Sequence, residues 1–365
     1  MRENWKYVSF EDCLQKVPKQ QAVKSKDYLE NGLFPIVSQE SDLISGYTSD
    51  EHILYKHEKP VIIFGDHTKN IKYIDFNFVV GADGVHILSV KDDILPKFFY
   101  YELCSIKLRN LGYARHYKLL KEKEICYPDI AEQERIVALL DEQFAKIDAL
   151  KANAASQLQA AKDLFQSALK EMLTPKEGWE RKMLKDVSTI IGGSTPKTSD
   201  ASNWGGNNNW VTPAELNGEK YYGKTKRTIS DKAAKGMQLL PVGTVLLSSR
   251  APIGKVAITT EPMYCNQGFK NIVCSDVLFN EYVYWYILYS VPQLEALGIG
   301  ATFKELSKSR TEEFPISFPS LFEQERIAAR LDAISEKVKT LQANYDQTIN
   351  LCNDLKQSLL KSIFE

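Results

Sequence analysis

Pro128-Asp-Ile-Ala-Glu-Gln-Glu-Arg-Ile136 and Pro319-Ser-Leu-Phe-Glu-Gln-Glu-Arg-Ile327 are two spellings of one stretch, 191 residues apart. Each opens a run, 130–173 and 320–365, that contains neither Gly nor Pro, the residues that most oppose a helix interior. In the second run Ile327, Leu331, Ile334, Val338, Leu341, Tyr345, Thr348, Cys352, Leu355 and Leu359 alternate four and three apart, the spacing of a coiled-coil seam. Ser320 is placed to cap this helix, with Glu323 three residues on as in a capping box. The same register in the first run gives Ile136, Leu140, Gln143, Ile147, Leu150, Ala154, Gln157, Ala161, Leu164 and Ala168. Pro175 and Gly178 end it. Alone, neither stripe makes a stable helix, so the two are expected to pack on each other.

Working outward, each run follows a longer stretch punctuated like a globular domain. The chain reads as globule 1–129, helical spacer 130–173, globule 174–319 and helical spacer 320–365. Antiparallel spacers would put the globules at opposite ends, and parallel spacers would put both at the same end. From Ile136 to Ala168 a helix extends roughly 48 Å, or roughly fourteen base pairs of duplex DNA. The competing reading is two amphipathic helices, each packed on its own globule.

A chain of 365 residues has room for two or three cores. It contains no apolar run long enough to span a membrane, and Met1-Arg-Glu-Asn-Trp-Lys-Tyr7 is no signal segment, so a cytoplasmic location with no membrane partner is expected. Six scattered cysteines fit reduced thiols. Net charge is −1 overall, but 174–319 carries +3 while 130–173 carries −2. Affinity for a polyanion would have to come from local clusters or a basic partner.

The two globules repeat one order of elements. In the first, Leu33–Val37, Pro60–Phe64, Asp75–Val80 and Val85–Val90 read as strands and Leu95–Arg109 as a helix. In the second, Thr244–Ser249 parallels the run ending at Phe64, Asn280–Tyr289 parallels Pro96–Ile106, and Gly298–Lys304 parallels Gly112–Lys118. Candidate DNA contacts are Arg115, His116 and Lys118 in the loop 110–118, and Lys220, Lys224, Lys226, Arg227, Arg250 and Lys304 in the second globule, where cations lie among tyrosines. Gly192-Gly-Ser-Thr-Pro-Lys197 lacks the Gly-Lys-Ser/Thr ending of a phosphate-binding loop.

Catalytic signatures are missing. The five histidines lie in the first globule without metal-ligand spacing, although Tyr47, His52 and His57 could cluster in space. Asp354-Leu-Lys356 sits in a helical spacer, where a solvated face is the simpler reading than nuclease chemistry. No catalytic, cofactor-binding or metal residue is assigned, and the chain is expected not to be an enzyme. A coiled-coil protein-interaction adaptor and a stand-alone metal-dependent nuclease are the alternatives.

The whole chain resembles the specificity (S) subunit of type I restriction–modification enzymes. The resemblance rests on the twin Glu-Gln-Glu-Arg-Ile stretches, Gly192-Gly-Ser-Thr-Pro196, Trp210-Val-Thr-Pro213, Leu246-Leu-Ser-Ser-Arg-Ala-Pro-Ile-Gly254 and Cys265-Asn-Gln-Gly-Phe269. In the first globule it rests on Phe64-Gly-Asp66 and Val80-Gly-Ala-Asp-Gly-Val-His-Ile-Leu88. It implies α/β (α+β) target-recognition domains in two copies, joined by two long helices packed as an antiparallel coiled coil with a pseudo-twofold internal duplication. Each domain would read one half of a bipartite, asymmetric site in double-stranded DNA. The implied partners are two modification (methyltransferase) subunits, which use S-adenosylmethionine, and restriction (endonuclease/translocase) subunits, which use ATP and Mg²⁺. No cofactor is expected in this chain. The repeated Glu-Gln-Glu-Arg starts would present one docking surface to each of two identical partners.

Overall fold

A computed structural model describes residues 4–112, 114–250, 252–300 and 304–365. Tyr113, Ala251, Ala301–Phe303 and the first three residues, which fall within stretches read above, lie outside the described residues. The chain divides into two compact units, Met1–Ala155 with Tyr345–Glu365, and Ser156–Asn344. The long helices Ile130–Leu173 and Leu321–Phe364 each contribute one half to each unit.

Both heads follow one plan. In the first, a four-stranded sheet runs in the order Leu14–Gln15, Val85–Val90, Val61–Gly65, Ile71–Ile74. A second sheet holds Phe34–Val37 beside Phe78–Val80 in parallel. Lys6–Ser9 and Glu124–Tyr127 pair antiparallel and clasp the chain where it enters and leaves the head. In the second head the corresponding sheets have five and three strands. Trp204–Val211 lies parallel to Tyr264–Cys265, and the clasp is Glu180–Met183 with Pro315–Phe318.

Strand periodicity explains how each head fills two cores. Successive side chains of a strand point to opposite faces. Ile62 and Phe64 pack with Phe98, Phe99 and Leu103 of the helix Pro96–Ser105, while Val61 and Ile63 pack with Val37 and Phe78 of the other sheet. Because both faces are covered, Val61-Ile-Ile-Phe64 is a continuous apolar run rather than an alternating one. Val245 and Leu247 in the second head likewise face the helix Asn280–Tyr289, and Leu246 faces the other way.

The long helices complete the helix-side cores. Ile136, Leu140, Leu360 and Phe364 belong to the first unit's core, with Phe364 packed edge-on to Phe98. Lys356 Nζ reaches Asp148 at 2.7 Å and Lys151 Nζ reaches Asn353 at 2.6 Å, a pairing that runs antiparallel. In the second unit Leu169, Met172 and Leu173 share a core with Ile327, Ala328 and Leu331.

The helix seam corrects the heptad reading at alternate positions. Leu140, Ile147, Ala154, Ala161 and Ala168 face inward or are half-buried, as do Leu331, Val338, Tyr345, Cys352 and Leu359. Ile136, Ile327 and Ile334 are buried or half-buried as well. Leu150 and Leu164, however, are 57% and 67% exposed, and Leu341 and Leu355 also face solvent. The inward residues are one place further on: Phe144, Lys151, Leu158 and Phe165 in the first helix, Gln342 and Lys356 in the second. Large rings decide the rotation. Phe144 packs edge-on to Tyr101, and Phe165 edge-on to Trp285, so the first long helix turns one ring to each head.

Gln133 and Gln324, the glutamines of the repeated Glu-Gln-Glu-Arg, are fully buried. Gln133 Oε1 accepts the Leu95 N–H at 2.8 Å, and its Nε2 donates to Asp93 O and Pro128 O. Gln324 repeats the set on the Phe279 N–H, Val277 O and Pro319 O. The flanking Glu132–Arg135 and Glu323–Arg326 ion pairs, with Glu134 and Glu325, remain outside. The glutamine of the repeat therefore fastens head to helix rather than presenting itself to a partner.

A second fastening uses Asp141 and Asp332, also 191 apart. Asp141 takes Lys97 at 2.7 Å and the Tyr101 hydroxyl. Asp332 takes Lys220 at 2.6 Å and the Trp285 Nε1–H at 3.0 Å.

Candidate nucleic-acid interface

The return loop of the first head is anchored at His116 and leaves its neighbours outside. His116 was expected to contact DNA, but it is completely buried. Its Nδ1 lies 2.9 Å from Asp66 O, and its Nε2 accepts the Leu111 N–H at 3.0 Å. A carbonyl on one nitrogen and an N–H on the other fix the neutral ring with its proton on Nδ1. His116 is thus a loop clamp. Arg115 beside it is 82% exposed at the side chain, with Nε 3.8 Å from Asp66 Oδ2. Lys118 is exposed on the helix Tyr117–Lys121, whose Leu119 and Leu120 enter the core.

Asp66 was not singled out by sequence, yet it organises this corner. It is buried at the end of the strand Val61–Gly65. Oδ1 accepts the Tyr117 N–H at 2.8 Å, and Oδ2 lies 3.3 Å from His86 Nε2. Burial alone would raise its carboxyl, but the Tyr117 N–H and His86 carry it below its ordinary value. His86 stacks on the Tyr117 ring at 3.8 Å, nearly parallel. Nothing near Asp66 in sequence announces His86 or Arg115, because strand pairing and the return loop bring them in.

In the second head Lys220 is a correction. It was expected on DNA, but its side chain is 11% exposed and lies between Glu281 at 3.0 Å and Asp332 at 2.6 Å. Its ammonium also sits over the rings of Tyr221, Tyr284 and Trp285. Two carboxylates and three ring faces saturate the cation, so it belongs to the head–helix fastening. Lys224 and Lys226 are exposed on either side of buried Thr225, which holds the turn by accepting the Trp210 N–H and donating to Arg227 O. Arg227 lays its guanidinium 3.6 Å from the Trp204 ring, and Trp204 meets Trp210 edge-on.

Arg250 follows the strand Val245–Ser249 and pairs loosely with Glu305, Nη1 to Oε2 3.9 Å. Lys304 is exposed next to Glu305. The expected match of Gly298–Lys304 with Gly112–Lys118 is out of register. The hydrogen bond from Leu306 N to Ser249 O reproduces the one from His116 N to Asp66 O, which sets Glu305, rather than Ala301 of the sequence match, opposite Arg115. Thr195 Oγ1 donates to Gln267 Oε1 at 2.6 Å and holds the 193–197 segment to the 265–269 loop. Gly193 allows that closeness: a Cβ there would fall 2.1 Å from Cys265 O.

Elsewhere, His57 turns both ring nitrogens to the backbone carbonyls of Lys59 and Phe76. Among the described residues no group of three or more His, Cys, Asp and Glu side chains is arranged to hold a metal ion. No helix of the described residues is long and apolar enough to cross a membrane. Each head thus offers exposed arginine and lysine with amide side chains nearby, on loops held by buried clamps. That chemistry suits phosphates and base edges.

The model of the type I restriction modification DNA specificity domain matches residues 2–160 and again 176–351. The chain belongs to that family. It is a DNA-recognition subunit built from two specificity domains. It is 26% identical over 357 residues to the EcoR124I/EcoR124II specificity subunit of Escherichia coli, covering 92% of this chain and 87% of that one. It is 39% identical over 171 residues to the MjaIX specificity subunit of Methanocaldococcus jannaschii, covering 45% of this chain and 39% of that protein's length. The fold is shared with a type I R-M system chain solved to explain complex assembly and conformational transition, at TM-score 0.75, 21% identity and coverage of 100% and 98%. It is also similar to the HsdS subunit from Thermoanaerobacter tengcongensis, at TM-score 0.57, 21% identity and coverage of 99% and 97%.

Proposed function

We propose that this specificity-domain chain reads a bipartite, asymmetric DNA site, one half with each head, and that the long helices set the unread spacer. The carrying observation is the duplication itself. The head-to-helix fastenings Gln133/Gln324 and Asp141/Asp332 recur at one spacing, while the cations exposed on the heads do not. A part that must keep its geometry has been copied, and the reading surfaces have diverged.

The chain itself is non-catalytic in this reading, and 1–129 and 174–319 act as the target-recognition domains. Exposed Arg115, Lys118, Lys224, Lys226, Arg227 and Lys304, with half-buried Arg250, set register on phosphates and bases. Partners are two modification subunits, which bring S-adenosylmethionine, and restriction subunits, which bring ATP and Mg²⁺, in the cytoplasm. Leu150, Leu164 and Leu355, outward on the long helices, offer apolar surface for such partners.

The experiment is to reconstitute the chain with its modification subunits, expose the complex to a random duplex pool, and map the methylated sites. Two short motifs at a fixed separation are expected. Inserting whole helical turns into both long helices should change the separation and leave the motifs. A single contiguous motif, or none, refutes the reading.

A further inference from the structure

A charged cluster occupies the same place in both heads, with its signs exchanged. Asp66 N–H donates to Gly84 O and Asp66 O accepts the His116 N–H; Ser249 N–H donates to Gly268 O and Ser249 O accepts the Leu306 N–H. Asp66 therefore corresponds to Ser249, and Arg115 to Glu305. Strand register pairs Gly65 with Val85 and Ser248 with Phe269, so His86 corresponds to Lys270. The first head places its carboxylate at the strand end and its arginine on the return loop. The second places Arg250 after the strand end and Glu305 on the return loop.

In the first head the arginine is the outer member of its pair. Asp66 Oδ1 accepts the Tyr117 N–H, and Oδ2 lies 3.3 Å from His86 Nε2. In the second head the buried charge is Lys270, 11% exposed, which has Ser249 Oγ at 3.1 Å and Glu305 at 3.7 Å. Ion pairs as exposed as those of Arg115 and Arg250 contribute little to stability. A carboxylate beside a guanidinium does restrict its direction. Arg115 meets Asp66 through Nε, which keeps its Nη pair off the carboxylate. Arg250 meets Glu305 through Nη1, which leaves the edge of Nε and Nη2 off the carboxylate, with Gly268, which has no side chain, next to Nε. A two-pronged donor edge matches the O6 and N7 acceptors of guanine in the major groove. The same head as Arg115 has an open cleft of about 640 Å³ lined by Gln39, Glu40, His67, Thr68, Lys69 and Asn110, polar side chains that include the acceptor Glu40 as well as donors.

We propose that Arg115 and Arg250 each read a guanine, on either strand, one in each half-site, and that Asp66 and Glu305 aim them. The inference rests on the chain being the DNA-reading subunit and adds which residues carry specificity.

The test uses the complex with its modification subunits and a random duplex pool, comparing wild type, Arg115→Lys and Arg250→Lys. Lysine keeps the charge and loses the fork. Arg115→Lys should relax selection at one guanine in one half-site by on the order of 10- to 100-fold and leave the other half intact. Arg250→Lys should do the same in the other half. Placing 7-deazaguanine at the affected position should reproduce the loss with wild-type protein. Unchanged motifs, a uniform loss over all sequences, or a half-site without guanine overturns the proposal while leaving DNA recognition standing. A wild-type complex with no motif at all brings down the DNA-reading function, and the proposal with it.

Discussion

Replacing Gln133 by alanine removes a side chain whose three hydrogen bonds all end on backbone groups: the Leu95 N–H, Asp93 O and Pro128 O. None of the three lies in a strand ladder that could absorb the loss. Leaving a buried donor or acceptor unsatisfied costs about 1–3 kcal/mol, and carbonyls with a spare lone pair tolerate it better than an N–H. The Leu95 N–H then sets the scale, and the variant should lose roughly 2–5 kcal/mol. For a unit of this size that corresponds to a fall in melting temperature of about 5–15 °C, at about 2–4 °C per kcal/mol. Gln133→Glu should be as damaging, because it turns a donor into a third oxygen facing two carbonyls. Hydrogen exchange localises the effect: the Leu95 amide should lose protection in the first unit, and the Phe279 amide in the second when Gln324 is changed. Unaltered exchange at both amides, with melting unchanged to within a degree or so, would refute the fastening role.

Lys220→Met should destabilise the second unit by about 1–3 kcal/mol, since Glu281 and Asp332 lose their shared cation, yet weaken DNA binding by the complex less than Lys224→Ala does. A DNA defect without a stability defect would reverse that assignment. Asp66 has a depressed carboxyl pKa, so its contribution is full above the unfolded value of about 4 and fades as pH falls through the folded value. Denaturant titrations across acid pH should show Asp66→Asn less stable than wild type at neutral pH and the difference closing in acid. Burial pushes the thiols of Cys13, Cys104, Cys265 and Cys274 up to about 12, so at pH 8 a thiol reagent should label them only after unfolding. Rapid labelling of the native chain would contradict their burial.

The helices and the order of strands in each head were legible because they rest on local periodicity and on a repeat long enough to compare with itself, whereas the antiparallel pairing came from the family resemblance. The seam was misread at alternate layers because a four-three spacing fits two stripes one residue apart. Leu150 and Leu164 looked like better core residues than Lys151 and Phe165 until the rings of Tyr101 and Trp285 fixed the rotation. The site was less legible still. Arg115, Lys118, Lys224, Lys226, Arg227 and Lys304 are exposed and Arg250 is half-buried, but His116 and Lys220 carry the same chemistry, and His116 is buried and the Lys220 side chain only 11% exposed. What separates them is a partner from elsewhere in the chain: the Asp66 carbonyl for His116, and Asp332, 112 residues on, for Lys220. Asp66, His86, Lys270 and Glu305 gave no local signal, since only strand register and the return loop make them neighbours.

The first unit is assembled from both ends of the described chain, whereas the second is one unbroken stretch from Ser156 to Asn344. During synthesis the second unit has all its parts in hand while the first still lacks residues 345–365, including Leu360 and Phe364 of its core. The usual order, in which the earlier-made domain folds first, is therefore inverted. The amino-terminal head must wait, its Phe98 and Ile136 lacking their final cover, until the last turns of the second helix emerge. A ribosome that stalls inside that helix leaves a finished second head attached to an unfinished first one, with the very surface that the missing turns would hide open to proteases and chaperones.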